Sequence, residues 1–190
     1  KDGVVKEFES PVSVLQIAES ISEGLARNAC CGLVDGEVKD LRFVVENDAQ
    51  VSICTFDDED GKRAFRHTAS HIMAQAIKRL FPETKLAIGP SIADGFYYDF
   101  DRETPFTEED LQHIEAEMKK IIKENPSIER FELPRNEALE LMKDEPYKVE
   151  LINDLPEGEV ISFYQIGDFV DLCAGPHLMA VKPIKAVKLL

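Results

Sequence analysis

Three of the four histidines in this 190-residue chain fall into two short patterns of equal spacing. His67 precedes His71 by four residues, and Cys173 precedes His177 by four residues. On a helix, this spacing places both imidazoles on one face, one turn apart. The second pattern contains Gly175-Pro176, which excludes a helix, so it is predicted to lie where a strand runs into a turn.

Two chemistries suit these residue types. Three histidines and one cysteine are a valid tetrahedral set for zinc. Neutral imidazoles can instead activate water near pH 7 when a thiol or carboxylate orients them. Chance explains most isolated histidine pairs of this spacing, although two patterns with shared ligand chemistry make chance a weaker explanation. Residue types alone leave the three alternatives open.

Further side chains could join such a site. Asp171 precedes Cys173 by two residues, and on a predicted strand the two side chains point to the same face. Lys148 is flanked by apolar and aromatic residues, and taken alone it is typical of a surface lysine. The stretch Gly95-Phe96-Tyr97-Tyr98 offers backbone and aromatic surface for a base or a sugar, although such a stretch more often packs in a core.

Composition excludes several function classes. The 37 acidic residues outnumber the 22 basic ones, and the net charge is −15. A protein that binds nucleic acid by broad phosphate neutralisation is basic, so any such contact here must be local. No apolar run reaches the ~20 residues of a membrane span, and no signal peptide is visible. Four cysteines, two of them adjacent, favour a reducing, cytoplasmic setting.

The chain is predicted to contain two α+β domains, residues 1–61 and 62–190. An acidic run, Asp57 to Asp60, precedes Gly61 and is interpreted as an exposed linker. The first domain is predicted as a ubiquitin-like β-grasp with a strand at 4–8 after an Asp2-Gly3 turn, a helix at 13–27 capped by Ser13, and strands at 31–34, 42–45 and 50–53. The chain begins at that turn, which suggests a piece of a longer protein.

The second domain is predicted to mix helices and short strands. Thr107, followed by three acidic residues, is a strong helix start. The predicted helices span 65–80, 107–124 and 136–144, and the predicted strands span 86–88, 95–100, 127–133, 160–164 and 170–173.

Several of these motifs together resemble a known family. The histidine pair, the stretch from Ile88-Gly89-Pro90 to Tyr98-Asp99, and the run from Asp171 to His177 resemble the N-terminal part of bacterial-type threonyl-tRNA synthetase. Residues 1–61 resemble its TGS domain and residues 62–190 its editing domain. Alanyl-tRNA synthetase editing domains share the two spacings, but Gly-Pro-His in the cysteine motif and the preceding TGS-like domain favour the threonyl form.

The resemblance implies post-transfer editing, which is hydrolysis of the aminoacyl ester of mischarged Ser-tRNA(Thr). It places the catalytic set on His67, His71, Lys148, Asp171, Cys173 and His177, and Gly95, Phe96 and Tyr97 remain candidates for substrate binding. It implies no required cofactor; zinc at the three histidines and Cys173 is the alternative. The expected partner is the serine-bearing 3′ end of tRNA(Thr), without a membrane.

The resemblance also bears on the rest of the enzyme and on rival functions. The aminoacylation core, with its ATP site and its dimer interface, lies outside the matched part of the family, so a monomeric fragment without charging activity is expected. The rival functions are a structural zinc-binding fold and a non-catalytic tRNA-binding or regulatory module.

Overall fold

The structure is a computed structural model that describes residues 3–190, and the chain divides into two compact units. The first unit comprises the residues up to Phe65 together with 176–179. The second comprises 66–175 and 180–190. A domain boundary after Gly61 stays a prediction.

The first unit is a small mixed fold. Its elements are β1 (Val12–Ser13), α1 (Val14–Ile21), α2 (Glu23–Asn28), β2 (Ala29–Val34), β3 (Glu37–Lys39), β4 (Val44–Val45) and β5 (Val51–Thr55). Strand β2 lies between β3 and β5 in an antiparallel sheet, and β1 pairs with β4. Val14 and Ala18 of α1 pack with Ala29, Val34 and Leu41 in its core. This arrangement agrees with the predicted β-grasp.

Two predictions for this unit need correction. The predicted strand at 4–8 has no regular secondary structure, and the turn before it includes Asp2, which lies outside the described residues. The predicted helix at 13–27 is two helices, because Ser22 is extended and caps α2 by accepting a hydrogen bond from Leu25 N–H. The Ser13 cap is confirmed: Gln16 N–H donates to Ser13 Oγ, and Ser13 N–H donates in return to Gln16 Oε1.

The acidic run is not a linker. Glu59 and Asp60 form the first turn of α3 (Glu59–Leu80), which begins six residues earlier than predicted. Acidic side chains are favourable there because the helix dipole is positive at its N-terminus. The Asp58 carboxylate just before α3 accepts a hydrogen bond from Thr55 N–H at 2.9 Å.

The second unit combines long helices with short antiparallel pairs. After α3 come β6 (Lys85–Leu86), β7 (Ser91–Ile92), β8 (Gly95–Phe96), β9 (Phe100–Asp101), α4 (Glu108–Glu124), β10 (Ile128–Glu132), α5 (Arg135–Leu141), α6 (Pro146–Asp154), β11 (Ser162–Ile166) and β12 (Phe169–Leu172). Strands β10, β11 and β12 form one antiparallel sheet in that order. No helix among the described residues is both long and apolar enough to cross a membrane.

Several sequence predictions hold in this unit and two fail. Helix α4 ends at Glu124 as predicted, and Thr107 and Asp110 form a capping box at its start. The predicted strand at 95–100 is two strands, β8 and β9, which pair with β7 and β6. Helix α6 was not predicted, although Pro146 is favourable in the first turn of a helix.

Candidate active site

Helix α3 presents two histidines side by side. The ring centroids of His67 and His71 are 5.0 Å apart with the ring planes at 83°, which confirms that both lie on one face. Between them, Ser70 Oγ lies 2.8 Å from the carbonyl oxygen of His67 and 2.7 Å from that of Gly89. These contacts tie the histidine turn to the loop between β6 and β7.

The thiol of Cys173 faces His67 just beyond the end of β12. Its Sγ lies 3.4 Å from His67 Nε2 and accepts a hydrogen bond from Gly175 N–H at 3.2 Å. Ser162 of β11 holds the Cys173 backbone on both sides: its carbonyl accepts from Cys173 N–H at 3.0 Å, and its hydroxyl donates to the Cys173 carbonyl at 2.7 Å. The sheet therefore fixes the position of the thiol.

A buried ion pair lies next to the histidines. Lys148 is 3% exposed and Asp171 is 1% exposed, and Lys148 Nζ lies 2.7 Å from Asp171 Oδ1. Tyr98 completes the network, because its hydroxyl accepts from Lys148 Nζ at 3.0 Å and donates to Asp171 Oδ2 at 2.6 Å. A buried charge is costly unless it is paired and hydrogen-bonded, so the three residues are expected to act as a unit.

Burial sets the protonation states around this pair. Burial, reinforced by the Asp171 carboxylate, holds the pKa of Tyr98 far above its usual range, so the phenol keeps its proton. Burial, reinforced by His67 and Lys148, lowers the pKa of His71 well below its usual value. His71 is therefore a neutral imidazole at physiological pH, 3.7 Å from the Asp171 carboxylate.

These side chains line one cavity of about 340 Å³ within the second unit. Its polar wall consists of His67, His71, Tyr98, Lys148, Asp171 and Cys173, and its remaining wall of Ile88, Gly89, Pro90, Leu151, Leu172, Ala174 and Gly175. A Cβ atom on Gly89 would overlap the Tyr98 ring. The volume is that of a small-ligand pocket with a few convergent polar groups.

Five of the six predicted catalytic residues line this cavity. The sixth, His177, falls in the segment grouped with the first unit, where its N–H donates to Asp40 Oδ2 at 3.3 Å. Gly95, Phe96 and Tyr97 are not among the residues that line the cavity, and their substrate-binding role stays a prediction.

Two expectations about individual side chains change. Lys148 is not the surface lysine that its neighbours in sequence suggested, because α6 turns it inward. Tyr98 was noted only as part of an aromatic stretch and was not included among the predicted site residues. The signal was the Tyr97-Tyr98 pair, since adjacent residues in extended chain face opposite sides: Tyr98 is buried, whereas Tyr97 is 43% exposed.

The donor set also has the spacing of metal ligands. The donor atoms of His67, His71 and Cys173 lie within 4.8 Å of one another. A zinc ion with usual bond lengths separates its nitrogen and sulfur ligands by about 3.5 Å, close to the observed 3.4 Å between His67 Nε2 and Cys173 Sγ. These residues would hold the ion, which would polarise an ester carbonyl or activate water.

Metal analysis of the purified chain separates a required ion from an adventitious one. We expect less than one bound zinc per chain and an unchanged melting temperature after chelation, since the ion pair and hydrogen bonds of Lys148, Asp171 and Tyr98 hold the cavity wall together without an ion. Elemental analysis and thermal melts with and without a chelator measure both quantities. Stoichiometric zinc whose removal melts the second unit would support the structural-metal alternative instead.

Comparison with known proteins defines the class. Residues 1–55 match the TGS domain, and residues 161–190 match the threonyl and alanyl tRNA synthetase second additional domain. The second match includes Asp171, Cys173 and His177. The chain thus joins a TGS domain to an editing-type domain of the synthetases.

Over its whole length, the chain is similar to the N-terminal region of bacterial threonyl-tRNA synthetases, as the sequence predicted. It is 74% identical over 190 residues to a threonine–tRNA ligase of Clostridium perfringens strain 13. It is 62% identical over 192 residues to that of Acetivibrio thermocellus and 62% identical over 191 residues to that of Clostridioides difficile. All of this chain is covered in each comparison, and it spans about 30% of each relative's length.

Proposed function

We propose that the second unit hydrolyses the aminoacyl ester of serine mischarged onto tRNA(Thr). The observation that carries this proposal is the buried network of Lys148, Asp171 and Tyr98 on the same cavity wall as His67 and Cys173. Burial raises the pKa of Tyr98 and lowers the pKa of His71 on the same wall, and ionisable groups perturbed in this way in a cleft are typical of catalytic sites. The similarity to threonine–tRNA ligases supports the identity of the substrate.

A separate hydrolytic site compensates for the limited selectivity with which a binding pocket distinguishes serine from threonine. Serine lacks one methyl group of threonine, and the loss of a methyl contact discriminates by only about 1–3 kcal/mol, or roughly 10–200-fold. A second pocket that admits serine and excludes the larger threonine adds a further step of discrimination. In the proposed site, Cys173 and the neighbouring backbone bound the space for the amino-acid side chain.

The geometry favours distinct roles for the site residues. His67 is half-buried on the cavity wall and is best placed to take a proton from the attacking water. The Lys148 ammonium is held by Asp171 and can stabilise the negative charge that develops on the ester oxygen. Asp171 has one oxygen paired with Lys148 and the other with Tyr98, so we assign it to orienting Lys148.

Replacement of one histidine tests the catalytic assignment. His67→Ala is expected to slow hydrolysis of Ser-tRNA(Thr) by about 10²–10⁴-fold, the usual contribution of a general base. The matched control is His113→Ala, which removes the exposed histidine of α4. The readout is release of labelled serine. Full activity of His67→Ala, or an equal loss in both variants, would contradict the assignment.

The proposal includes the setting in which the chain works. Because the net charge is −15, we propose that the cavity receives only the serine-bearing 3′ end of the tRNA. We also propose that this chain works in the cytoplasm and acts as a monomer. The second candidate function is a structural zinc-binding fold, which the ligand spacing of His67, His71 and Cys173 favours.

A further inference from the structure

We propose that Lys78 and Glu145 form a positioning pair that sets the location of Lys148, an inference that rests on the proposed hydrolysis. Neither residue is among those that line the cavity. Lys78 lies in the last turn of α3, the helix that carries His67 and His71. Glu145 directly precedes α6, the helix that carries Lys148. The pair therefore joins the helix that supplies the two histidines to the helix that supplies Lys148.

The Lys78 ammonium has all three of its donors engaged. Its Nζ donates to Glu145 Oε1 at 2.6 Å, to the Pro82 carbonyl at 2.9 Å and to the Thr84 carbonyl at 3.0 Å. A lysine ammonium has three N–H donors, so this geometry leaves none unused. One side chain thus fixes the end of α3, the turn that follows it and the start of α6.

Glu145 transmits this constraint to Lys148 through the backbone. Its second carboxylate oxygen, Oε2, accepts from Leu86 N–H in β6 at 2.8 Å. Its backbone carbonyl accepts from Lys148 N–H and Val149 N–H, both at 3.0 Å. The residue that is anchored by its side chain therefore forms the first backbone bonds of α6. A shift of Glu145 would move the Lys148 main chain directly.

The consequence for catalysis follows from the distances in the network. Lys148 must lie 2.7 Å from Asp171 Oδ1 and 3.0 Å from the Tyr98 hydroxyl at the same time. Displacing a catalytic group by about 1 Å can cost roughly 10²-fold in rate. Loss of the pair should therefore lower kcat. It should leave KM for the tRNA unchanged, because neither residue lines the cavity.

Two variants of the full chain test the pair kinetically. Lys78→Met removes all three hydrogen bonds and is expected to lower kcat for Ser-tRNA(Thr) roughly 10–100-fold at constant KM. Glu145→Gln keeps an acceptor for Leu86 N–H, so its loss should be smaller. The matched controls are Lys143→Met and Glu140→Gln, which break a Lys–Glu contact of 2.7 Å between two exposed side chains. These controls should retain wild-type kcat and KM.

A second measurement does not depend on hydrolysis. Backbone amide exchange in α6 and labelling of Lys148 by an amine-reactive reagent should both become faster in Lys78→Met and stay unchanged in the controls. If the wild-type chain does not hydrolyse Ser-tRNA(Thr), the proposed function fails, and exchange and labelling still decide the positioning pair. If Lys78→Met melts globally, Glu145→Gln carries the same test.

Either of two results would overturn the positioning pair. One is wild-type exchange and labelling together with unchanged kcat in both Lys78→Met and Glu145→Gln. The other is a rise in KM at constant kcat, which would mean that the pair contacts the substrate.

Discussion

Lys148→Met is expected to lower the free energy of unfolding by about 3–5 kcal/mol, as removal of one partner from a buried ion pair does. The Asp171 carboxylate would remain buried, and the Tyr98 hydroxyl would be its remaining close donor. Methionine fills most of the volume of the lysine stem, so a cavity contributes little. Urea unfolding followed by circular dichroism measures the change.

A double variant separates stability from catalysis. Lys148→Met/Asp171→Asn removes both charges and should recover most of the lost stability, because no unpaired charge remains buried. Hydrolysis should be lost in both Lys148→Met and the double variant, since each lacks the Lys148 ammonium. Wild-type stability of Lys148→Met would contradict the buried pair. Recovered hydrolysis in the double variant would contradict the role of Lys148.

Gly175→Ala is expected to have the second large effect. Gly175 has a φ of +78°, which costs an L-residue about 1–2 kcal/mol, and a Cβ there would overlap the hydroxyl of the fully buried Tyr164. With about 1–3 kcal/mol for the overlap, the total loss should be roughly 2–5 kcal/mol. Hydrolysis should fall as well, because Gly175 N–H donates to Cys173 Sγ. Thermal melts and deacylation rates measure the two effects.

Gly158→Ala is the matched control for backbone strain. Gly158 has a φ of +83°, but nothing lies within 4 Å of a Cβ built there. This variant should lose only the ~1–2 kcal/mol of backbone cost and keep its activity. Equal losses in the two variants would mean that contact with Tyr164 contributes nothing.

The site residues that could be predicted from the sequence are those whose spacing indicates a shared face of one helix or strand. His67 and His71 were placed on one helix face by their separation of four residues, and Asp171 with Cys173 by strand alternation. The catalytic role of Lys148 came only from family resemblance, because its burial depends on α6, a helix that was not predicted. Tyr98 was missed because its role depends on contacts with residues 50 and 73 positions away in the chain. Local patterns do not encode such contacts.

The same distinction applies to the fold. Helix starts with a polar cap, at Ser13 and Thr107, were predicted correctly because capping is a local interaction. The strand at 4–8 was predicted from the Asp2-Gly3 turn that precedes it, yet a strand forms only where a partner strand is available. The regular helical spacing of apolar residues across 17–25 concealed the break at Ser22, and the aromatic residues at 96–98 concealed the division between β8 and β9.

The most direct test of the proposed function compares two substrates with the unmodified chain. Ser-tRNA(Thr) and Thr-tRNA(Thr) are each incubated with the protein, and release of the amino acid is followed over time. The proposed editing site predicts rapid release of serine and retention of threonine, with both rates at background for His67→Ala. Equal hydrolysis of the two esters, or hydrolysis of neither, would contradict it.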